Sequence, residues 1–123
     1  MNLTYQEIVA SQSIQGNVIR RTPMELSATF SQMTGSKLYL KSECLQKTGS
    51  FKVRGAYAKI YSLSKEEKKK GVIAASAGNH AQGVAFASSL ENIPCTIVMP
   101  LNASPAKVAA TKSYGAKIGR AHV

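Results

Sequence analysis

The chain has 123 residues, 44% of them apolar, and a formal charge of +10, enough apolar content for one ordinary domain and too much for a disordered tail. The charge would point to a nucleic acid or an anionic membrane only if it clustered, and no basic run is interleaved with aromatics as a base-stacking surface requires. No apolar stretch approaches the roughly 20 residues of a membrane helix. In chain order, "TYQEIVASQSIQGNVI" (Thr4–Ile19) reads as an amphipathic helix ended by the Arg-Arg-Thr-Pro turn at Arg20–Pro23, and "KLYLK" (Lys37–Lys41) as a short strand. "RGAYAKIYSLS" from Arg54 is helical. "SKEEKKKG" (Ser64–Gly71) reads as a solvated helix end, with Glu66 and Glu67 early, Lys68–Lys70 late as the macrodipole favours, and Gly71 as a left-handed stop. The apolar run Val72–Ala75 leads into "SAGNHAQGVAFASSL", which continues as a helix of small residues. "CTIVMP" (Cys95–Pro100) is a strand, and "SPAKVAATKSYGA" (Ser104–Ala116) a helix with Ser104 as N-cap and Pro105 in its first turn.

Alternating strands and helices predict the α/β class: parallel βαβ units with flanking helices on both faces of the sheet. The two cysteines, Cys44 and Cys95, are far apart in sequence and no signal segment opens the chain, so a reducing cytoplasm is the expected compartment. With two Cys and two His, a structural zinc site lacks ligands. There is no aspartate at all, and the six acidic residues are glutamates scattered along the chain. Carboxylate dyads, Ser-His-Asp triads and carboxylate-bound magnesium are therefore not the expected chemistry.

Two stretches remain as candidate sites. In "TGSFKVRGA" (Thr48–Ala56), Lys52 sits between Phe51 and Val53 with Gly49 and Gly55 to either side, a particular setting for one lysine among twelve. "ASAGNHAQG" lies at a strand-to-helix turn, where parallel sheets bind ligands and helix N-termini offer free N–H groups to anions. Gly78 and Gly83 match neither the dinucleotide pattern G-x-G-x-x-G nor the phosphate loop, since Val84 stands where the latter needs Lys. From the turn alone, Ser76 or Asn79 could be a helix cap or part of a site, and His80 could be structural or catalytic.

Together, "KTGSFKVRGA" and "ASAGNHAQGVA" resemble the threonine dehydratase (threonine ammonia-lyase) group of fold type II enzymes that use pyridoxal phosphate. "LYLKSECLQ", "CTIVMP" and "KVAATKSYGA" are similar to the group as well, and the resemblance runs from Ile19 to about Lys117. It implies a tryptophan synthase β-like fold, with residues 1–70 in the larger cofactor domain and 71–117 in the smaller α/β domain. It implies that Lys52, beside Phe51, bonds covalently to the cofactor and acts as the general base, as a poorly solvated amine of lowered pKa that Phe51, Gly49 and Gly55 suit, and that Asn79 hydrogen-bonds the cofactor's phenolic oxygen. The turn Ser76, Gly78, Asn79 and His80 would bind the substrate carboxylate, while Arg54 either touches substrate or holds the loop by ion pairing. The implied reaction removes water and then ammonia from threonine, and from serine as an open possibility, in a full-length parent that is a homo-oligomer acting on a small amino acid, with no nucleic-acid or membrane partner and no metal. Serine racemases of the group carry serine where this chain has Ala77, which favours elimination over racemisation. A serine racemase-like enzyme and a non-catalytic basic α/β module that binds anions are the alternative readings.

The resemblance also implies a chain more than twice this length, with the loop that cradles the cofactor phosphate and the partner of the pyridine nitrogen lying beyond these residues. The last six residues, "IGRAHV" (Ile118–Val123), are what the sequencing adapter ATC GGA AGA GCA CAC GTC encodes. The expectation is a truncated translation in which residues 118–123 are adapter-derived, Arg120 and His122 have no role, and the isolated piece binds pyridoxal phosphate weakly and turns over no threonine.

Overall fold

A computed structural model of the chain describes residues 3–121. Helix α1 (Tyr5–Gln15) starts at a reciprocal cap: the Glu7 amide donates to Thr4 Oγ1 at 3.3 Å and the Thr4 amide donates to the Glu7 carboxylate at 2.7 Å. Gly16, at φ +42, ends it four residues short of Arg20, and a 3-10 turn over Gly16–Val18 completes the approach to the Arg-Arg-Thr-Pro turn. Strand β1 (Met24–Leu26) pairs antiparallel with β2 (Tyr39–Lys41), and between them α2 (Ala28–Thr34) is capped by Ser27 and closed by Gly35 in the left-handed conformation. Neither β1 nor α2 is among the elements expected from the sequence.

Helix α3 (Lys52–Tyr61) begins on the lysine of the candidate loop itself, two residues before Arg54. The charged helix α4 (Lys65–Lys70) has a capping box between Ser64 and Glu67, and Gly71 stops it at φ +81. That stop is not the left-handed helical turn expected, because ψ is −177° and the chain leaves at once in an extended direction. Strand β3 (Val72–Ala75), helix α5 (Asn79–Leu90), strand β4 (Cys95–Pro100), helix α6 (Pro105–Ser113) and strand β5 (Lys117–Ala121) follow as two βαβ units, in a parallel sheet of order β3-β4-β5. Ser104 stands at the N-cap position of α6 without making a side-chain cap. Within β5, the Arg120 guanidinium donates to the carbonyl of Pro100 at 3.1 Å. His122 lies outside the described residues.

One core joins these pieces. Ala56, Tyr57 and Ile60 of α3 pack with Ala81, Val84, Ala85 and Ala87 of α5, which lies on Cys95, Ile97 and Met99 of β4, with Val108 and Ala116 at the α6 end. Glu91 ties the layers from the side, accepting from the Tyr57 hydroxyl at 3.2 Å and from Lys68 Nζ at 2.9 Å.

The expectation that both faces of the sheet are covered is corrected. Cys95, Ile97 and Met99 are buried under helices, but the alternate residues face the open side, where Ile73 is 73% exposed and Ala75 is exposed beside half-buried Thr96 and Val98. The cause is topological: strands added in one direction by right-handed crossovers put both crossover helices on the same face. Helix α3 then packs on α5 instead of on the bare side of the sheet.

Candidate active site

The loop before α3 is held from below. Gln46 is buried and its carboxamide grips the backbone of Arg20 on both sides, Oε1 accepting from the Arg20 amide and Nε2 donating to its carbonyl, each at 2.9 Å. Its own carbonyl accepts from the Gly49 amide, and Gly49 turns the chain at φ +70, a conformation open to glycine at little cost. Ser50 is buried and its Oγ accepts from the Lys52 amide at 3.4 Å. The hydroxyl of Thr48, buried in the same loop, has no hydrogen-bond partner among the described residues.

Arg54, in the first turn of α3, anchors the loop from the side. Its Nη2 and Nε donate to the two oxygens of Glu43 at 2.7 and 2.8 Å, and Thr22 adds its hydroxyl to the same carboxylate. The Arg54 guanidinium hydrogen bonds, then the Thr22 hydroxyl and the Arg54 and Lys41 charges, outweigh partial burial and hold the Glu43 carboxyl down at about 2. Of the two uses the sequence leaves open for Arg54, the geometry here is the ion pair. No sequence pattern announces Glu43 or Thr22 as its partners; only the fold brings them together.

Lys52 itself departs from expectation. It is exposed, as is Phe51, and its Nζ stands 4.9 Å from the centroid of the Phe51 ring. Residues 3–121 bury the backbone beneath the lysine, with Val53 fully buried, but build no wall around the amine.

The second stretch starts where β3 ends. The Ser76 amide donates to the Val98 carbonyl at 3.0 Å, extending the parallel ladder by one residue. Ser76 Oγ then accepts from the amides of Gly78 and Ala81, both at 3.3 Å, so its hydroxyl serves donors at the start of α5. Gly78 occupies the N-cap position and Asn79 and His80 are the first two helical residues, both exposed. Their amides have no acceptor within the helix, as at any helix start. His80 lines an apolar cavity of about 300 Å³ with Gly55, Ala56, Ile60, Ala74 and Val84.

The two stretches meet at Gly83. A Cβ on this residue would lie 3.2 Å from the carbonyl carbon of Lys52 and 3.2 Å from the nitrogen of Val53. Asn79 is four residues earlier, on the same face of α5, so the backbone of Lys52 rests one helical turn from it. The combined donor set is one primary amine, one carboxamide, one imidazole and the first-turn amides of a helix, with a hydroxyl beneath them. That set suits an aldehyde to be captured by the amine and an anionic oxygen or carboxylate to be held by N–H donors.

Comparison with known proteins agrees with this chemistry. The sequence profile of the family described as pyridoxal-phosphate dependent enzyme matches residues 16–122. The chain is 53% identical over 116 residues to L-threonine ammonia-lyase of Thermotoga maritima, covering 94% of the chain and 29% of that protein. It is 57% identical over 101 residues to the catabolic L-threonine dehydratase of Staphylococcus aureus, covering 81% of the chain and 29% of that protein. Among solved structures it superposes on serine racemase of Dictyostelium discoideum with a TM-score of 0.91 at 38% identity, over 98% of this chain and 39% of that one. The chain thus spans about three tenths of the length of the curated relatives it matches.

Proposed function

Since the chain belongs to the family of pyridoxal-phosphate dependent enzymes, we propose that the protein it forms part of is a threonine ammonia-lyase, converting threonine to 2-oxobutanoate and ammonia and acting on serine by the same route. The observation that supports this reading is the seating of the Lys52 backbone against Gly83, one helical turn from Asn79 at the start of α5.

In this reading Lys52 holds the cofactor through its amine, Asn79 holds the cofactor's ring oxygen through its carboxamide, and Phe51 lies beside them. Pyridoxal phosphate, when bound, supplies an electron sink for the charge left on the substrate's α-carbon. Everything else is the work of side chains. The Lys52 amine would take the substrate's α-proton as general base. In this reading the Ser76 hydroxyl and the free amides of Asn79 and His80, at the turn that Gly78 opens, bind the substrate carboxylate and fix the α-hydrogen toward Lys52. Departure of the β-hydroxyl as water, followed by hydrolysis of the enamine, balances the reaction as threonine giving 2-oxobutanoate and ammonia.

Ala77 favours elimination over racemisation. It stands between Ser76 and Gly78 and carries no hydroxyl to act as an acid or base. The free thiols of Cys44 and Cys95 support a reducing compartment, for which we propose the cytoplasm. Among the described residues no helix is long and apolar enough to cross a membrane.

The test is a product assay on the full-length protein. Release of 2-oxobutanoate from L-threonine and of pyruvate from L-serine, without D-serine, is the expected result. D-serine as the main product would move the assignment to a racemase, and no turnover of either amino acid in a protein that captures pyridoxal phosphate would overturn the substrate class.

A further inference from the structure

We propose that Gly83 is a positioning residue that sets the distance between Lys52 and the Asn79 turn; this rests on the function proposed above. Gly83 is buried, at the fifth position of α5, inside a helix where glycine is among the poorest formers. Gly55 of α3 is also helical, yet a Cβ there would meet nothing within 4 Å. At Gly83 the three atoms in the way are all backbone: Lys52 carbon and Val53 nitrogen at 3.2 Å and Lys52 oxygen at 3.3 Å. A flexible side chain could turn aside from an added methyl, but these atoms belong to the first turn of α3, fixed by the Arg54 and Glu43 pair and by the buried Val53. The methyl of an alanine would therefore move the start of α3 away from α5 by a few tenths of an ångström, carrying Lys52 with it, while the Ser76 cap keeps the turn from Ser76 to His80 where it is.

The consequence is a divided effect. Substrate binding through the α5 turn is kept, whereas proton transfer by Lys52 and capture of the cofactor on its amine are weakened.

The experiment compares wild type, Gly83→Ala and Ala87→Gly in the full-length protein. Ala87 is a buried residue of the same helix that belongs to the core, and its loss reports the effect of a loosened α5 alone. Two readouts are taken: kcat and KM with threonine, and the fraction of protein carrying borohydride-fixed pyridoxal phosphate on Lys52 at limiting cofactor, mapped by mass spectrometry. For Gly83→Ala the expected result is a fall in kcat of roughly tenfold or more, by the usual sensitivity of catalysis to small misplacements, with KM little changed and less Lys52 adduct. Ala87→Gly is expected to lower the melting temperature with kcat and adduct retained. Wild-type kcat and adduct in Gly83→Ala overturn the proposal, as does an equal loss in Ala87→Gly. A wild-type protein that forms no adduct on Lys52 also overturns it, and in that case the functional reading has failed first.

Discussion

The guanidinium of Arg54 and the carboxylate of Glu43 meet side on, through hydrogen bonds of 2.7 and 2.8 Å that join the turn after β2 to the first turn of α3. Both side chains are largely shielded, at 30% and 16% exposure, and the Glu43 carboxyl is held at about 2 instead of 4.5. The folded chain keeps Glu43 ionised to lower pH than the unfolded chain does, so the stabilisation is complete above 4.5 and drains away as the pH falls toward about 2. Glu43→Gln should cost about 1 to 2 kcal/mol near neutrality, discounted for partial solvent access. Denaturant titrations of both proteins across this range check it: a gap that closes with acid is expected, and a gap independent of pH would show that the pair's charge contributes nothing.

Two glycine substitutions should have opposite signs. At Gly71, with φ +81, a Cβ would come within 2.6 Å of the Pro94 carbonyl oxygen, so Gly71→Ala combines a disfavoured dihedral with a backbone clash and should destabilise by more than about 2 kcal/mol. Gly55→Ala adds a methyl to a helix where nothing stands within 4 Å, and should stabilise by about 0.5 to 1 kcal/mol through helix propensity. Melting curves of the two variants against wild type test both; two shifts of the same sign would contradict the distinction.

The thiols should separate cleanly by reactivity. Cys44 is exposed, whereas Cys95 is buried in the core under α5 and its burial pushes the thiol pKa up. Alkylation under native conditions should label Cys44 promptly and Cys95 only on unfolding, because the thiolate is the nucleophile. Equal native labelling of both would show that the β4 core opens readily.

Elements whose patterns are local were legible. Helix α4 carries its charge order and its Gly71 stop within eight consecutive residues, and β4 is a run bounded by Pro94 and Pro100. What stayed hidden depends on distant partners. The pairing of Glu43 with Arg54, the grip of Gln46 on Arg20, and the approach of Gly83 to Lys52 each link segments with no common pattern. The open sheet face followed from strand order, which no single segment encodes. At the candidate site the residue types were legible and their setting was not: Ser76 doubles as a cap for α5, His80 borders an apolar cavity, and Lys52 is exposed where a buried amine was expected.

The claim on which the account rests is that Lys52, among twelve lysines, is the amine that captures pyridoxal phosphate. Borohydride reduction of the full-length protein loaded with the cofactor, followed by peptide mapping, tests it directly. The account predicts a single pyridoxyl adduct on Lys52, lost in Lys52→Ala together with threonine turnover. An adduct on another lysine, or full activity in Lys52→Ala, would contradict it.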